Sequence, residues 1–159
     1  MTKPVLLAAL ALGTTLIATS VFAHCEIPCG IYGDAARFYM ISEHCDTIEK
    51  SMAQVVQLGS EEPQNNNQLV RWVQNKEDHA NEVQEIVSQY FLTQRIKPDQ
   101  PDYEARVTTL HQMLVAAMKC KQTTDQAHVG TLRGLLAQFR ALYFGPEEEA
   151  HAAHEHGAK

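Results

Sequence analysis

Two cysteines, a histidine, a proline and two glycines crowd the stretch "SVFAHCEIPCGIYGD", residues 20–34. If the chain began at His24, a transition metal would find there a free α-amine and the His24 imidazole. It would also find the backbone nitrogen of Cys25 and the thiolates of Cys25 and Cys29. The amine and the next amide nitrogen close one chelate ring, and the Cys25 side chain closes a second, so two consecutive residues fill three corners of a plane. Cys29 folds back to fill the fourth. A plane of two nitrogens and two sulfurs suits Ni²⁺ or Cu²⁺ rather than tetrahedral Zn²⁺. The His24 imidazole is left as an axial donor. Pro28 restricts the loop and Gly30 permits a tight turn, both helping Cys29 return towards Cys25. Tyr32 stands just beyond, suited to guard the open face and to order water or a small anion through its hydroxyl.

That chemistry requires a cut after Ala23, and residues 1–23 carry the signals for one. Lys3 gives a positive start, "VLLAALALGTTLIA" an apolar run, and Val21-Phe22-Ala23 a small-x-small cleavage pattern, as in a secretory signal peptide. The run is short and laced with threonine, so it does not suit a membrane span. A lipoprotein leader is the competing reading of Cys25, but His24 occupies the position where such a leader carries a small residue. Without a twin-arginine pair, export is expected by the general, unfolded route, with metal acquired afterwards in the periplasm, a lumen or the medium.

The rest of the 159-residue chain must position this segment, and it is written in helical period. Phe38, Ile41, Cys45, Ile48, Met52 and Val55 form one stripe, ended by Gly59 and the polar loop "GSEEPQNNN". Leu69, Val73, Ala80, Val83, Val87 and Tyr90 form a second, with Lys76 as a polar intruder. Tyr103, Val107, Leu110, Leu114 and Ala117 form a third, and Val129, Leu132, Leu136, Phe139 and Tyr143 a fourth, closed by Gly145-Pro146. No period-two run competes for a sheet. Four amphipathic helices with short connections are expected to pack as an all-α, antiparallel, up-down four-helix bundle with an irregular N-terminal metal-binding hook. The expected divisions are a cleaved leader at 1–23, the hook at 24–33, the bundle at 34–145 and a mobile His/Glu-rich tail at 146–159. The net charge of −6, which loses the positive Lys3 with the leader, argues against nucleic acid or an anionic membrane as partner.

"HCEIPCGIY" resembles, at every fixed position, the H-C-x-x-P-C-G-x-Y signature of the nickel superoxide dismutase family, which begins at the processed N-terminus. The resemblance implies that superoxide is converted to O₂ and H₂O₂ by a nickel ion, one per subunit, cycling between Ni²⁺ and Ni³⁺. His24 would supply amine and axial imidazole, Cys25 its amide nitrogen and thiolate, and Cys29 the second thiolate. Tyr32 matches the hook tyrosine, and Tyr90, in "SQYF", resembles a second tyrosine lining the substrate position. The family's homohexamer of four-helix subunits is implied as well. Gly33 stands where an acidic residue is expected. The Glu and Arg that support the axial histidine in the family have only candidate counterparts in Arg37, Glu43, Arg71 and Glu77. An exported nickel or copper chaperone with the same chelate and no redox turnover is the alternative function, and a structural bundle with a Cys25–Cys29 disulfide is a third.

The remaining chemistry-bearing residues read as structural. Cys45 is expected to be a buried free thiol, with a Cys45–Cys120 disulfide as the sharper alternative. His44, His79, His111 and His128 show no paired ligand spacing and are expected at the surface or at caps. His151, His154 and His156 belong to the solvated tail, and Trp72 reads as packing.

Overall fold

A computed structural model describes residues 33–156, with side chains to 145. The leader and the hook residues His24, Cys25, Cys29 and Tyr32 therefore lie outside the described residues. Helix α1 runs Asp34–Gly59, α2 Asn66–Glu85, α3 Tyr103–Gln122 and α4 Ala127–His156. Among the described residues there is no strand. Each helix packs on its two neighbours in a ring, α1 on α2, α2 on α3, α3 on α4 and α4 on α1, as a four-helix bundle requires.

The stripes bury as their periodicity demands. Phe38, Ile41, Cys45, Ile48 and Met52 from α1 meet Ala80 and Val83 from α2, Leu110, Met113 and Ala117 from α3, and Val129, Leu132 and Phe139 from α4 in one core. Asn65 caps α2 by accepting from the Gln68 amide at 3.2 Å. Arg133 ties α4 to α1 through Asp46 at 2.7 Å and Glu49 at 2.9 Å.

The second stripe departs from expectation in three ways. Val73 is 39% exposed, and its neighbour Val70 66%, so the first half of α2 is not part of the core. Lys76 is no intruder. It is buried, and its ammonium donates to the backbone carbonyls of Cys120 at 2.9 Å and of Lys121, closing the last turn of α3. Orphan carbonyls at a helix C-terminus carry partial negative charge, and a buried cation satisfies both that charge and their missing donors. The helix also does not end at Tyr90 but continues as a π-helical segment, Ile86–Arg95. Its i→i+5 pattern is explicit where the Ile96 amide donates to the Phe91 carbonyl at 3.0 Å. The side chains of Thr93 and Gln94 likewise reach back five residues, to the carbonyls of Ser88 and Gln89.

The fourth helix is broken where Gly145 adopts φ 72°, a conformation glycine accepts without a steric penalty. The backbone then resumes helical form to His156, so the segment read from sequence as a tail is helical there. Cys45 and Cys120 are both buried free thiols, and no disulfide joins them. Burial is the first cause that pushes the Cys45 thiol up to about 12 and the Cys120 thiol up to about 11, so neither is a thiolate donor at neutral pH.

Candidate metal centre and its supporting end of the bundle

Among the described residues no group of three or more His, Cys, Asp or Glu side chains is placed to hold a metal ion. The donors proposed from sequence lie just upstream of Gly33, so the described chain bears on them through the end of the bundle where that segment joins.

The junction is held by a compact polar cluster. Asp34, in the first turn of α1, accepts from the Tyr90 hydroxyl at 2.5 Å through Oδ1 and from the Tyr143 hydroxyl at 2.8 Å through Oδ2. The Arg95 guanidinium approaches the same Oδ1 at 2.9 Å through Nε, and its Nη2 donates to the Tyr90 hydroxyl at 2.8 Å. One carboxylate thus binds residues from the π segment and from α4 to the start of α1. A carboxylate in a first turn is also favoured by the helix dipole.

Local structure explains why these four meet. In an α-helix, residues five apart point in different directions. In the π segment the i→i+5 bonding stacks them, and the Arg95 guanidinium lies 4.8 Å from the centre of the Tyr90 ring as well as on its hydroxyl. Arg37, one turn into α1, lies over the same ring at 5.2 Å. Tyr143 is steadied from α3 by Arg106, which stacks on its ring at 5.6 Å and donates twice to the Leu142 carbonyl, at 3.1 and 2.8 Å. Beneath the cluster Phe38, Phe91, Phe139 and Tyr143 pack edge-to-face or tilted, with Phe38 stacked on Phe139, and ring centres 4.9–5.6 Å apart.

Burial first, and then the hydrogen bond to Asp34, raises the phenol pKa of both Tyr90 and Tyr143 above the ordinary value of 10.0. Arg95 opposes that rise at Tyr90, and its own pKa is raised first by the bond to the Tyr90 hydroxyl. Both phenols are protonated donors at neutral pH.

Of the residues singled out from sequence, Tyr90 lies at this junction, 6% exposed. Arg37 is the one candidate support residue that joins it. Arg71 and Glu77 lie on α2 near Asn75, whose amide donates to Ser51 at 2.8 Å, some 25 Å along α1 from Asp34 at about 1.5 Å per residue. Glu43 is on the exposed face of α1. Asp34 and Arg95 were not singled out from sequence, and Tyr143 was read only as the last residue of the fourth apolar stripe. Asp34 offered the clearest signal, since an acid expected at position 33 stands one residue later, as the first helical residue. Arg95 gave none, because no α-helical periodicity puts it beside Tyr90.

The expectation for two of the histidines also needs correcting. His44 and His79, expected apart at the surface or at caps, face each other across α1 and α2 with Nδ1 atoms 2.8 Å apart.

No curated protein and no solved structure matches the chain. The family model for nickel-containing superoxide dismutase matches residues 19–146, which spans the His24–Tyr32 motif and the whole bundle to the Gly145 break. The motif and the four-helix architecture agree with that match, and the chain belongs to the nickel-containing superoxide dismutase family.

Proposed function

We propose that this superoxide dismutase is exported, that cleavage after Ala23 creates its nickel site, and that His24, Cys25 and Cys29 are the ligands. The observation that carries the proposal is the complete H-C-x-x-P-C-G-x-Y motif placed directly after a leader and within the family match. The donor chemistry fits nickel. Thiolates and a deprotonated amide lower the potential of an ion that water alone leaves too hard to oxidise.

His24, Cys25 and Cys29 would hold the nickel ion, which would supply one-electron redox chemistry towards superoxide. The chain's own residues do the rest. Tyr32 is two residues from Asp34, within about 7 Å along the chain, and Cys29 is five residues away, within about 18 Å. The Asp34 cluster holds the first turn of α1, the start of the described bundle that follows this segment in sequence. Arg37 and Arg95 set positive charge around Tyr90, favouring an anionic substrate at a protein that is acidic overall. Tyr32 and Tyr90 are the groups we assign to the substrate position, with the protonated phenols ordering water or anion. A homohexamer, in which neighbouring subunits enclose the hook, completes the reading.

Mass spectrometry of the mature N-terminus, nickel analysis and a superoxide assay on one sample test it. A chain beginning at His24 with one nickel per subunit and dismutase activity is expected. An active protein that retains residues N-terminal to His24 would overturn it.

A further inference from the structure

Away from the hook junction, α1 and α2 bring two imidazoles together with no structural demand that they meet. His44 and His79 are both half-buried, with ring centres 5.0 Å apart and planes inclined at 62°. Their Nδ1 atoms, not their ring edges, face each other, 2.8 Å apart. The His44 Nε2 is buried without a hydrogen-bond partner among the described residues, so the pair is not a closed polar network. Two nitrogens bound side by side to one metal at 2.0–2.1 Å must lie about 2.9–3.4 Å apart for angles between square and tetrahedral. The two nitrogens are hydrogen-bonded as they stand, and a tetrahedral ion in place of the shared proton needs them to open by about 0.5 Å, to the upper end of that range.

A carboxylate is also at hand. Glu82 is one turn beyond His79 on α2, so the two share a face; it is exposed, is not in place as a third donor, and would reach the pair only by a change of rotamer. Its charge, with that of Glu43, acts on His44 in favour of a cation. Burial and the neighbouring His79 ring act the other way and favour the neutral His44 imidazole, the form that ligates a metal.

We propose that His44 and His79 form a second divalent-metal site, separate from the N-terminal donors, which takes Zn²⁺ through both Nδ1 atoms with Glu82 and water completing a tetrahedron. Two neutral imidazoles bind the ion without net proton release, because the one proton between the Nδ1 atoms moves to the outer nitrogen of its own ring. The ion then staples α1 to α2.

The test uses the processed, nickel-loaded full chain labelled with ¹⁵N-histidine, with His151, His154 and His156 replaced by alanine to remove competing donors. Titration with ZnCl₂ should move the Nδ1 resonances of both His44 and His79 to metal-bound positions at the first equivalent. Nickel should be retained and the thermal midpoint should rise. His79→Gln should abolish that equivalent and the rise while leaving dismutase activity intact, and Glu82→Gln should weaken binding. Zn²⁺ uptake unchanged in His79→Gln, or ring signals of His44 and His79 that stay still in the unsubstituted pair, would overturn the proposal and leave an adventitious ion only. The resonance readout is taken on the unsubstituted pair, so it decides the matter even where His79→Gln misfolds. Loss of the nickel reading would leave this outcome untouched.

Discussion

At the scale of single residues, Asp34 organises the end of the bundle, because one carboxylate accepts from two phenols and is ion-paired with a guanidinium at once. Asp34→Asn keeps the size and removes the charge. It should cost about 1 kcal/mol of stability, read as a lower urea midpoint, since the charged acceptor is lost while the amide still offers one oxygen. The pH dependence follows from the raised phenols. A tyrosine whose folded pKa lies above its unfolded value contributes stability that is fully present below pH 10, and that is lost as pH rises through the folded value. Stability should therefore fall above pH 10 in the parent protein and fall less steeply in Asp34→Asn, which a urea series across alkaline pH will show. Thiol chemistry separates the four cysteines in the same way. With Cys45 held at about 12 and Cys120 at about 11, iodoacetamide at pH 8 should label Cys25 and Cys29 of the nickel-free folded protein and spare the two core thiols. Peptide mapping by mass spectrometry checks this, and fast labelling of Cys45 would contradict the burial of its thiol.

At the scale of elements, two devices were hidden from sequence and both are local. Lys76 interrupts an apolar stripe, and periodicity alone gives it no purpose. The structure gives it one in closing α3, with its stem among apolar neighbours and its ammonium on the Cys120 and Lys121 carbonyls. Lys76→Met keeps the stem and removes the donor. It should cost about 1–3 kcal/mol in denaturant unfolding, because two buried carbonyls lose their partner, while nickel content stays unchanged. The π segment is the second device. It changes which residues share a face, and this brings Arg95 onto Tyr90. A 3.6-residue stripe predicts neither, so the sequence reading ended the second apolar stripe at Tyr90 and saw no π segment beyond it.

At the scale of the whole molecule, the legible part was what repetition encodes. Phe38 to Met52, Leu110 to Ala117 and Val129 to Phe139 repeat at helical spacing and bury accordingly, so class and architecture followed from the chain. The family was legible because the His24–Tyr32 motif is contiguous, so its signature can be read without a fold to assemble it. Pairings across helices were not legible, since Asp34 and Tyr143, or His44 and His79, come together only after packing. The central claim, proposed above, is that a cut after Ala23 makes the amine that binds nickel in a chain whose bundle follows directly in sequence. Inserting one alanine between Ala23 and His24, with cleavage retained before the insert, moves the amine by one residue and leaves the bundle untouched. Superoxide dismutase activity of that processed variant is the most direct measurement. The account predicts that activity is abolished in a protein as stable as the parent, and full activity would contradict it.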